Sequence, residues 1–306
     1  MADISAGMVK NLREKTGVGM MDCKAALSAT NGDMEEAVDW LRAKGLAKAA
    51  KKSTRIAAEG LVGLAVKNKT GGLVEVNSET DFVARNEKFQ AMVAEISKLA
   101  LMANGSTEAL KVMHFPGSKH AVAEYVAEMV ATIGENMTVR RTAALTVKDG
   151  VIGSYVHNQI APGMGKIGVI VAVESSGDKP ELTSFGRMLS MHIAATNPVA
   201  LSLDAVPKDV LAREVAVLEE KNAGKPANVM EKIIASGLKS YAKETCLLEQ
   251  AYVHDGSKTV TQVMEEIAKK AGAAVKITGF VRMQLGEGIE KGEDDFAAEV
   301  AKMSGQ

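Results

Sequence analysis

The sequence predicts an α+β protein assembled from several small units. Three observations carry that expectation. Apolar residues recur at helical spacing near both ends, a strand–turn–strand–elbow–helix unit occurs twice in the middle, and a heptad-like stretch interrupts the second copy. The divisions that follow are an N-terminal module at 1–54 and two duplicated core subdomains, at 55–145 and at 146–200 with 248–285. A projecting antiparallel helical hairpin fills 201–247, and a C-terminal helical module fills 286–306.

Residues 1–54 read as three short helices. Ile4, Met8, Val9 and Leu12 share one face of the first, with Asp3 or Ser5 as its cap and Thr16-Gly17-Val18-Gly19 as its break. The second runs from about Met20 to Ala29 and stops at Asn31-Gly32. Asp33 caps the third, whose stripe is Met34, Ala37, Val38 and Leu41 and whose end is expected near Gly45. In outline the module resembles a ubiquitin-associated-like domain. A module this small buries little, so its surface is expected to work. Met20 and Met21 cannot both enter so small a core. One or both are expected to stay at the surface, with Leu12 nearby and Lys24 one turn along; the alternative is that both are simply core. Lys48 to Arg55, rich in Lys and Ala and free of aromatics, reads as a solvated linker helix.

The repeat is visible in the residues themselves. Glu59-Gly60-Leu61-Val62-Gly63 matches Asp149-Gly150-Val151-Ile152-Gly153, and Gly72-Leu73-Val74-Glu75-Val76 lines up with Gly168-Val169-Ile170-Val171-Ala172. The helix bearing Phe89, Met92 and Val93 lines up with Phe185, Met188 and Leu189. Two copies are too few for a solenoid, so paired subdomains are expected. In the first copy the elbow is Glu75 to Asn86. Its single large ring, Phe82, sits among Thr80, Asp81, Arg85 and Asn86, which favour water. Phe82 could plug the local core, as most phenylalanines do. The polar flanks favour the other reading, an aromatic anchor aimed at a partner, with Asp81 beside it as a charge probe.

The second copy holds a decoy. Gly163-Met164-Gly165-Lys166-Ile167-Gly168 fits a dinucleotide glycine pattern, but a strand follows it where a helix is required. It reads as a hairpin turn. His157 has no second ligand or base at useful spacing, so it is a surface contact or a plain strand-end residue. Val210, Leu211, Val217 and Leu218, then Met230, Ile233, Ile234, Leu238 and Tyr241, predict the hairpin, broken at Ala223-Gly224-Lys225-Pro226. Its outer surface is open to a second copy, a partner or the body. Val260 to Ala271 predicts an amphipathic helix, Ile277 to Leu285 a closing strand, and Glu293 to Met303 a last short helix.

Composition excludes several functions. The 306 residues carry 37 basic and 38 acidic side chains, which gives no broad electrostatic grip on nucleic acid. Aromatics at 4% argue against base-stacking platforms. Cys23 and Cys246 form no ligand cluster and read as reduced thiols. The start Met1-Ala2-Asp3-Ile4-Ser5 lacks a leader pattern, and no apolar run suits a bilayer, so a cytoplasmic location without membrane contact is expected. His114, His120, His157, His192 and His254 are scattered, and no nucleophile elbow or carboxylate cluster stands out. No cofactor or bound metal is called for. An interaction protein is the first expectation. A small-molecule enzyme using the cleft between subdomains, and a chaperone-like holder of unfolded chains, are the others.

Two long segments sharpen this. Leu12-Arg13-Glu14-Lys15-Thr16-Gly17-Val18-Gly19-Met20-Met21-Asp22-Cys23-Lys24-Ala25-Ala26-Leu27 and Glu75 through Arg85 resemble, in order, the two signature segments of the bacterial elongation factor Ts family. The resemblance spans nearly the whole chain. It implies a guanine nucleotide exchange factor, not an enzyme, that binds elongation factor Tu in its GDP-bound and nucleotide-free forms without touching nucleic acid directly. A homodimer or a 2:2 complex with the GTPase is compatible with it. By match, Thr80, Asp81, Phe82 and Val83 would disturb the partner's Mg²⁺. Leu12, Met20, Met21, Lys24, Ile133, Gly134, His157 and Val253 would make further contacts. A partner-binding or chaperone-like protein without exchange activity is the alternative.

Overall fold

A computed structural model describes residues 4–16 and 18–290. The described residues form both helices and strands, consistent with an α+β chain.

Three helices come first: α1 (Ala6–Thr16), α2 (Met20–Ala29) and α3 (Met34–Lys52). Ser5 Oγ accepts the Met8 N–H at 3.2 Å, and Asp33 caps α3 by accepting from Glu35 and Glu36. The expected stop near Gly45 does not occur, and the expected linker is the second half of α3 itself. Gly45 sits where α3 crosses a later helix; a Cβ there would lie 3.0 Å from Ala131 Cβ. The glycine permits a close helix crossing and breaks nothing. Asp3 and Gly17 lie outside the described residues, as does everything from Lys291 on, including the expected helix at Glu293–Met303.

The middle of the chain runs β1 (Glu59–Lys67), β2 (Thr70–Ser78), α4 (Glu87–Ala100), α5 (Thr107–Val112), α6 (Val122–Ile133) and β3 (Met137–Thr146). It continues with β4 (Gly150–Ala161), β5 (Met164–Glu174) and α7 (Lys179–Thr196). The remainder is α8 (Lys208–Lys221), α9 (Ala227–Thr245), the short hairpin β6 (Ala251–Tyr252) and β7 (Asp255–Thr259), α10 (Val260–Ala271) and β8 (Lys276–Gln284).

One antiparallel sheet holds six of the strands, in the order β3-β2-β1-β5-β4 with β8 also on β5. Only Val62↔Gly165 and Gly63↔Met164 join β1 to β5, so the sheet bends there. The wing β1–β3 folds over the wing β4, β5, β8. Val62, Leu73, Val147, Ile152, Ile170, Ala172 and Met283 fill the space between. Outside, α4 and α6 cover the first wing around Phe89, Met92 and Ile96, while α7 and α10 cover the second around Leu182, Phe185 and Leu189. The alternation of inward and outward residues along each strand makes this layering possible.

The strand pairings correct the alignment of the two copies. Gly63 opposes Val74 on β2, and Gly153 opposes Val171 on β5. Gly71 therefore matches Gly168, and Leu73 matches Ile170, one residue from the expected pairing. A one-residue slip exchanges the faces of a strand, and only the observed register keeps both residues inward. The two positions even serve each other. A Cβ on Gly71 would meet Ile170, and one on Gly168 would meet Leu73. The helices shift too: Ser97 Oγ donates to Val93 O and Ser190 Oγ to Gly186 O, both at 2.7 Å, and both pairs face the matched strand glycines. That places Phe89 opposite Leu182 rather than Phe185.

In the α8–α9 pair, Leu218 packs where Gly237 has no side chain. No residue of α8 is buried, and only Ala242 of α9 is.

Candidate functional site

Between β2 and α4 the chain needs seven residues, Glu79 to Arg85, before Asn86 caps the helix by accepting from Lys88 and Phe89. Val83–Arg85 form a single tight turn. Val83 and Ala84 are buried in the outer core of the first wing, and Phe82, beside them, is 78% exposed. Apolar roots thus fix the loop while its one ring faces solvent. Exposing a phenylalanine forfeits about 2 kcal/mol of burial, and residues that do so singly on a rigid loop suit recognition.

The loop is fastened at its base by a second turn, Gly134-Glu135-Asn136, which follows the left-handed end of α6 at Gly134. The Glu135 carboxylate accepts from the Thr80 N–H at 2.9 Å and from the Thr80 hydroxyl at 2.6 Å. In return Glu79 accepts the Asn136 N–H at 2.5 Å. Each carboxylate takes the amide of the residue that follows the other. Ser78 Oγ donates to Thr80 O at 2.9 Å. The end of α3 joins in: Lys52 Nζ donates to Gly134 O, and Asn136 Nδ2 donates to Arg55 O at 2.7 Å. Arg55 also pairs with Glu79 at 3.4 Å. Ile133 and Gly134 are thereby brought to the elbow. Glu135, which no spacing rule singles out, is the residue that sequence reasoning missed; its partner lies 55 residues away.

The other candidates separate into two groups. Met20 and Met21 are 48% and 78% exposed, and Lys24 is exposed on the same helix, because Cys23, Ala26 and Leu27 take the inward positions of α2. Leu12 is the correction: it is wholly buried between α1 and its neighbours and supports the module instead of presenting itself. Val83 is likewise buried and roots the elbow. His157 is exposed on β4, with the Tyr155 hydroxyl 3.1 Å from its Nδ1.

Val253 is 52% exposed in the β6–β7 turn. It is held from behind by a buried histidine. The Val253 N–H donates to His192 Nδ1 at 3.2 Å, and His192 Nε2 lies 3.0 Å from Gln250 Oε1, which fixes the tautomer. Burial pushes the His192 pKa down, so the ring is neutral and able to accept. Tyr252 stacks on it, and burial raises its phenol to about 12.

Among the described residues no group of three or more His, Cys, Asp or Glu side chains is placed to hold a metal ion. No described helix is long and apolar enough to cross a membrane. A cavity of about 280 Å³ lies where α3 meets the Ser118–His120 loop, lined by Thr16, Val38, Arg42, His120 and Glu128. It shares no residue with the elbow.

Comparison with known proteins gives a consistent picture. The family model described as Elongation factor TS matches residues 79–287. The chain is 62% identical over 305 residues to "Elongation factor Ts" of Methylorubrum populi, covering 99% of this chain and 100% of the relative. It is 61% identical over 302 residues to the protein of that name in Methylobacterium nodulans, covering 98% of each. With that of Xanthobacter autotrophicus it shares 58% over 306 residues, all of both chains.

Proposed function

The chain belongs to the elongation factor Ts family, whose function is nucleotide exchange on elongation factor Tu, and we propose that it loosens GDP by seating Phe82 beside the GTPase's bound Mg²⁺. The single observation that carries this reading is a 78%-exposed ring on a fastened loop. Thermodynamics sets the frame. A factor that drives release must bind the nucleotide-free GTPase better than the GDP form, and by reciprocity GDP must weaken its binding equally. Mg²⁺ bridges phosphate and protein oxygens and is a large part of what retains the nucleotide. A side chain that displaces the helices around the metal weakens those contacts without touching the base.

Burying Phe82 in the partner is worth about 2–4 kcal/mol, an amount that offsets part of the lost metal coordination. Asp81, exposed next to it, adds a negative group on the metal side, while Thr80 and Val83 hold the two ends of the wedge. Met20, Met21 and Lys24 give a second hold from the N-terminal module. Ile133 and Gly134, then His157 and Val253, extend the grip across the core. In this reading residues 1–54 are a ubiquitin-associated-like arm, and 55–145 and 146–200 with 248–285 are duplicated subdomains. Residues 201–247 are a projecting hairpin, free to mediate a homodimer or a 2:2 complex. The factor acts in the cytoplasm, on both GDP-bound and nucleotide-free partner, by binding and not by bond chemistry.

Rapid mixing with the GTPase loaded with fluorescent GDP tests this. Wild type accelerates release, and Phe82→Ala, folded by circular dichroism, is about tenfold slower. Equal rates would remove the wedge. Chelating the partner's Mg²⁺ beforehand should shrink the advantage of wild type over the variant; an unchanged advantage would remove the metal from the mechanism. Binding without any stimulated release would favour a plain partner-binding or chaperone-like role.

A further inference from the structure

We infer that Glu135 is a positioning residue for the exchange reaction, acting through Thr80 on Phe82; the inference rests on the wedge reading above. A loop that must insert a ring into another protein loses rate if it has first to be ordered. Here the ordering is done in advance by the exchanged pair of carboxylates. Glu135 accepts both polar hydrogens of Thr80, at 2.9 and 2.6 Å, two residues before the ring. Glu79 accepts the Asn136 N–H, so the elbow and the turn after α6 cannot slide past each other without breaking both contacts. On the far side of the ring, the Phe82 carbonyl accepts the Arg85 N–H at 3.1 Å, and Val83 and Ala84 are buried. The ring is therefore bracketed. The downstream bracket is apolar packing within the same segment. The upstream bracket is polar: Ser78 Oγ holds the Thr80 carbonyl from within the segment, and the Thr80 N–H and hydroxyl are both held by one side chain of a distant turn, Glu135.

That asymmetry makes Glu135 the weak point. Removing it leaves the Thr80 N–H and hydroxyl without their acceptor while Phe82 keeps its exposure. The loss should fall on the release rate at saturating factor, with less effect on the concentration needed to saturate, because the other surfaces still dock.

The test is a mutant cycle read by release of fluorescent GDP from elongation factor Tu. Glu135→Ala should slow maximal release about tenfold. The double variant Glu135→Ala/Phe82→Ala should be within about twofold of Phe82→Ala alone, since a misplaced ring and a missing ring cost the same step. Glu135→Gln should recover to within about threefold of wild type, because its amide can accept from the N–H and donate to the hydroxyl. Should Glu135→Ala not fold, Thr80→Val removes only the hydroxyl contact and should slow release about threefold. Wild-type rates for Glu135→Ala or Thr80→Val, or a double variant slower than Phe82→Ala by the full single-variant factor, would overturn the assignment. A wild-type rate for Phe82→Ala alone would instead sink the wedge.

Discussion

The two elbows of this protein solve the same connection in opposite ways. In the second wing three residues, Ser175 to Gly177, separate β5 from the helix cap Asp178. They lie flush on the end of α10. The Asp178 N–H donates to Ala271 O at 3.0 Å, and a Cβ on Gly177 would come within 2.6 Å of that same carbonyl. In the first wing the matching connection has seven residues and rests on the end of α6. Both covering helices end in a left-handed glycine, Gly134 and Gly272. The second elbow meets its helix end backbone to backbone. The first is held off by the length of a glutamate side chain, and the added residues carry Phe82 outward. Packing the backbone directly leaves nothing to present. Spacing it with a carboxylate creates a rigid platform for an exposed ring. The same contrast recurs inside the sheet, where Glu75 on β2 occupies the position that Ala172 fills on β5.

The largest expected effect comes from the paired glycines under the helices. A Cβ on Gly153 would lie 2.3 Å from the Gly186 carbonyl oxygen, a backbone atom that cannot turn away. A Cβ on Gly63 would lie 2.1 Å from the Ser97 hydroxyl, a side chain that can rotate. Gly153→Ala should cost about 3 kcal/mol or more and Gly63→Ala about 1–2. Urea unfolding of both variants measures the gap. Equal costs would mean that the two wings are packed alike and that the contrast between them is confined to the elbows.

Acid should loosen the wings in sequence. Burial depresses the His192 pKa from its ordinary 6.5, so its contribution is complete above that value and fades as pH falls through the lowered folded one. Burial would by itself raise the Glu75 carboxyl. The Gly286 N–H, the Asn77 amide and Arg141 outweigh it and hold the group below its ordinary 4.5. Its contribution is complete above 4.5 and fades only below. Protection of the amides around Val253, relative to their intrinsic exchange, should therefore begin to fall as pH drops below 6.5, before any change at Gly286. Glu75→Gln should cost about 2 kcal/mol at pH 7 by leaving Arg140 and Arg141 without their buried partner, and should flatten the acid limb below pH 4.5. Simultaneous loosening would indicate one cooperative unit in place of two wings.

How much of this could be read from the residues follows the range of the interactions. Phe82 among polar neighbours, the caps at Asp33 and Asn31-Gly32, and the hairpin turn at Gly163 are local, and local patterns declare themselves. Gly45 misleads because a glycine that ends a helix and one that lets two helices touch look identical without Ala131 in view. The glycine-led strands match by eye one residue out of register, because both faces of β5 are buried and alternation is lost. Phe89 and Phe185 invite a pairing that the strand contacts deny. Leu12 lies in a segment full of surface residues, yet the closure of three helices needs it inside. Glu135 has no local signature, since its meaning depends on Thr80.

The smallest effects give the sharpest separation. Gly177→Ala should press on Ala271 and cost about 1–2 kcal/mol, while stimulated GDP release from folded protein stays within about twofold of wild type. Asp81→Ala removes an exposed side chain and should leave stability within about 0.5 kcal/mol, yet slow release severalfold. Thermal unfolding and release assays on the same two samples decide it. A tight elbow is a folding element: disturbing it moves the melting temperature and nothing else. On the proposed reading a spaced elbow is a working surface, whose disturbance should move the exchange rate and leave the melting temperature in place. If Asp81→Ala lost stability instead, the long loop would be one more piece of packing, and the extra residues in the first wing would have no functional reason to exist.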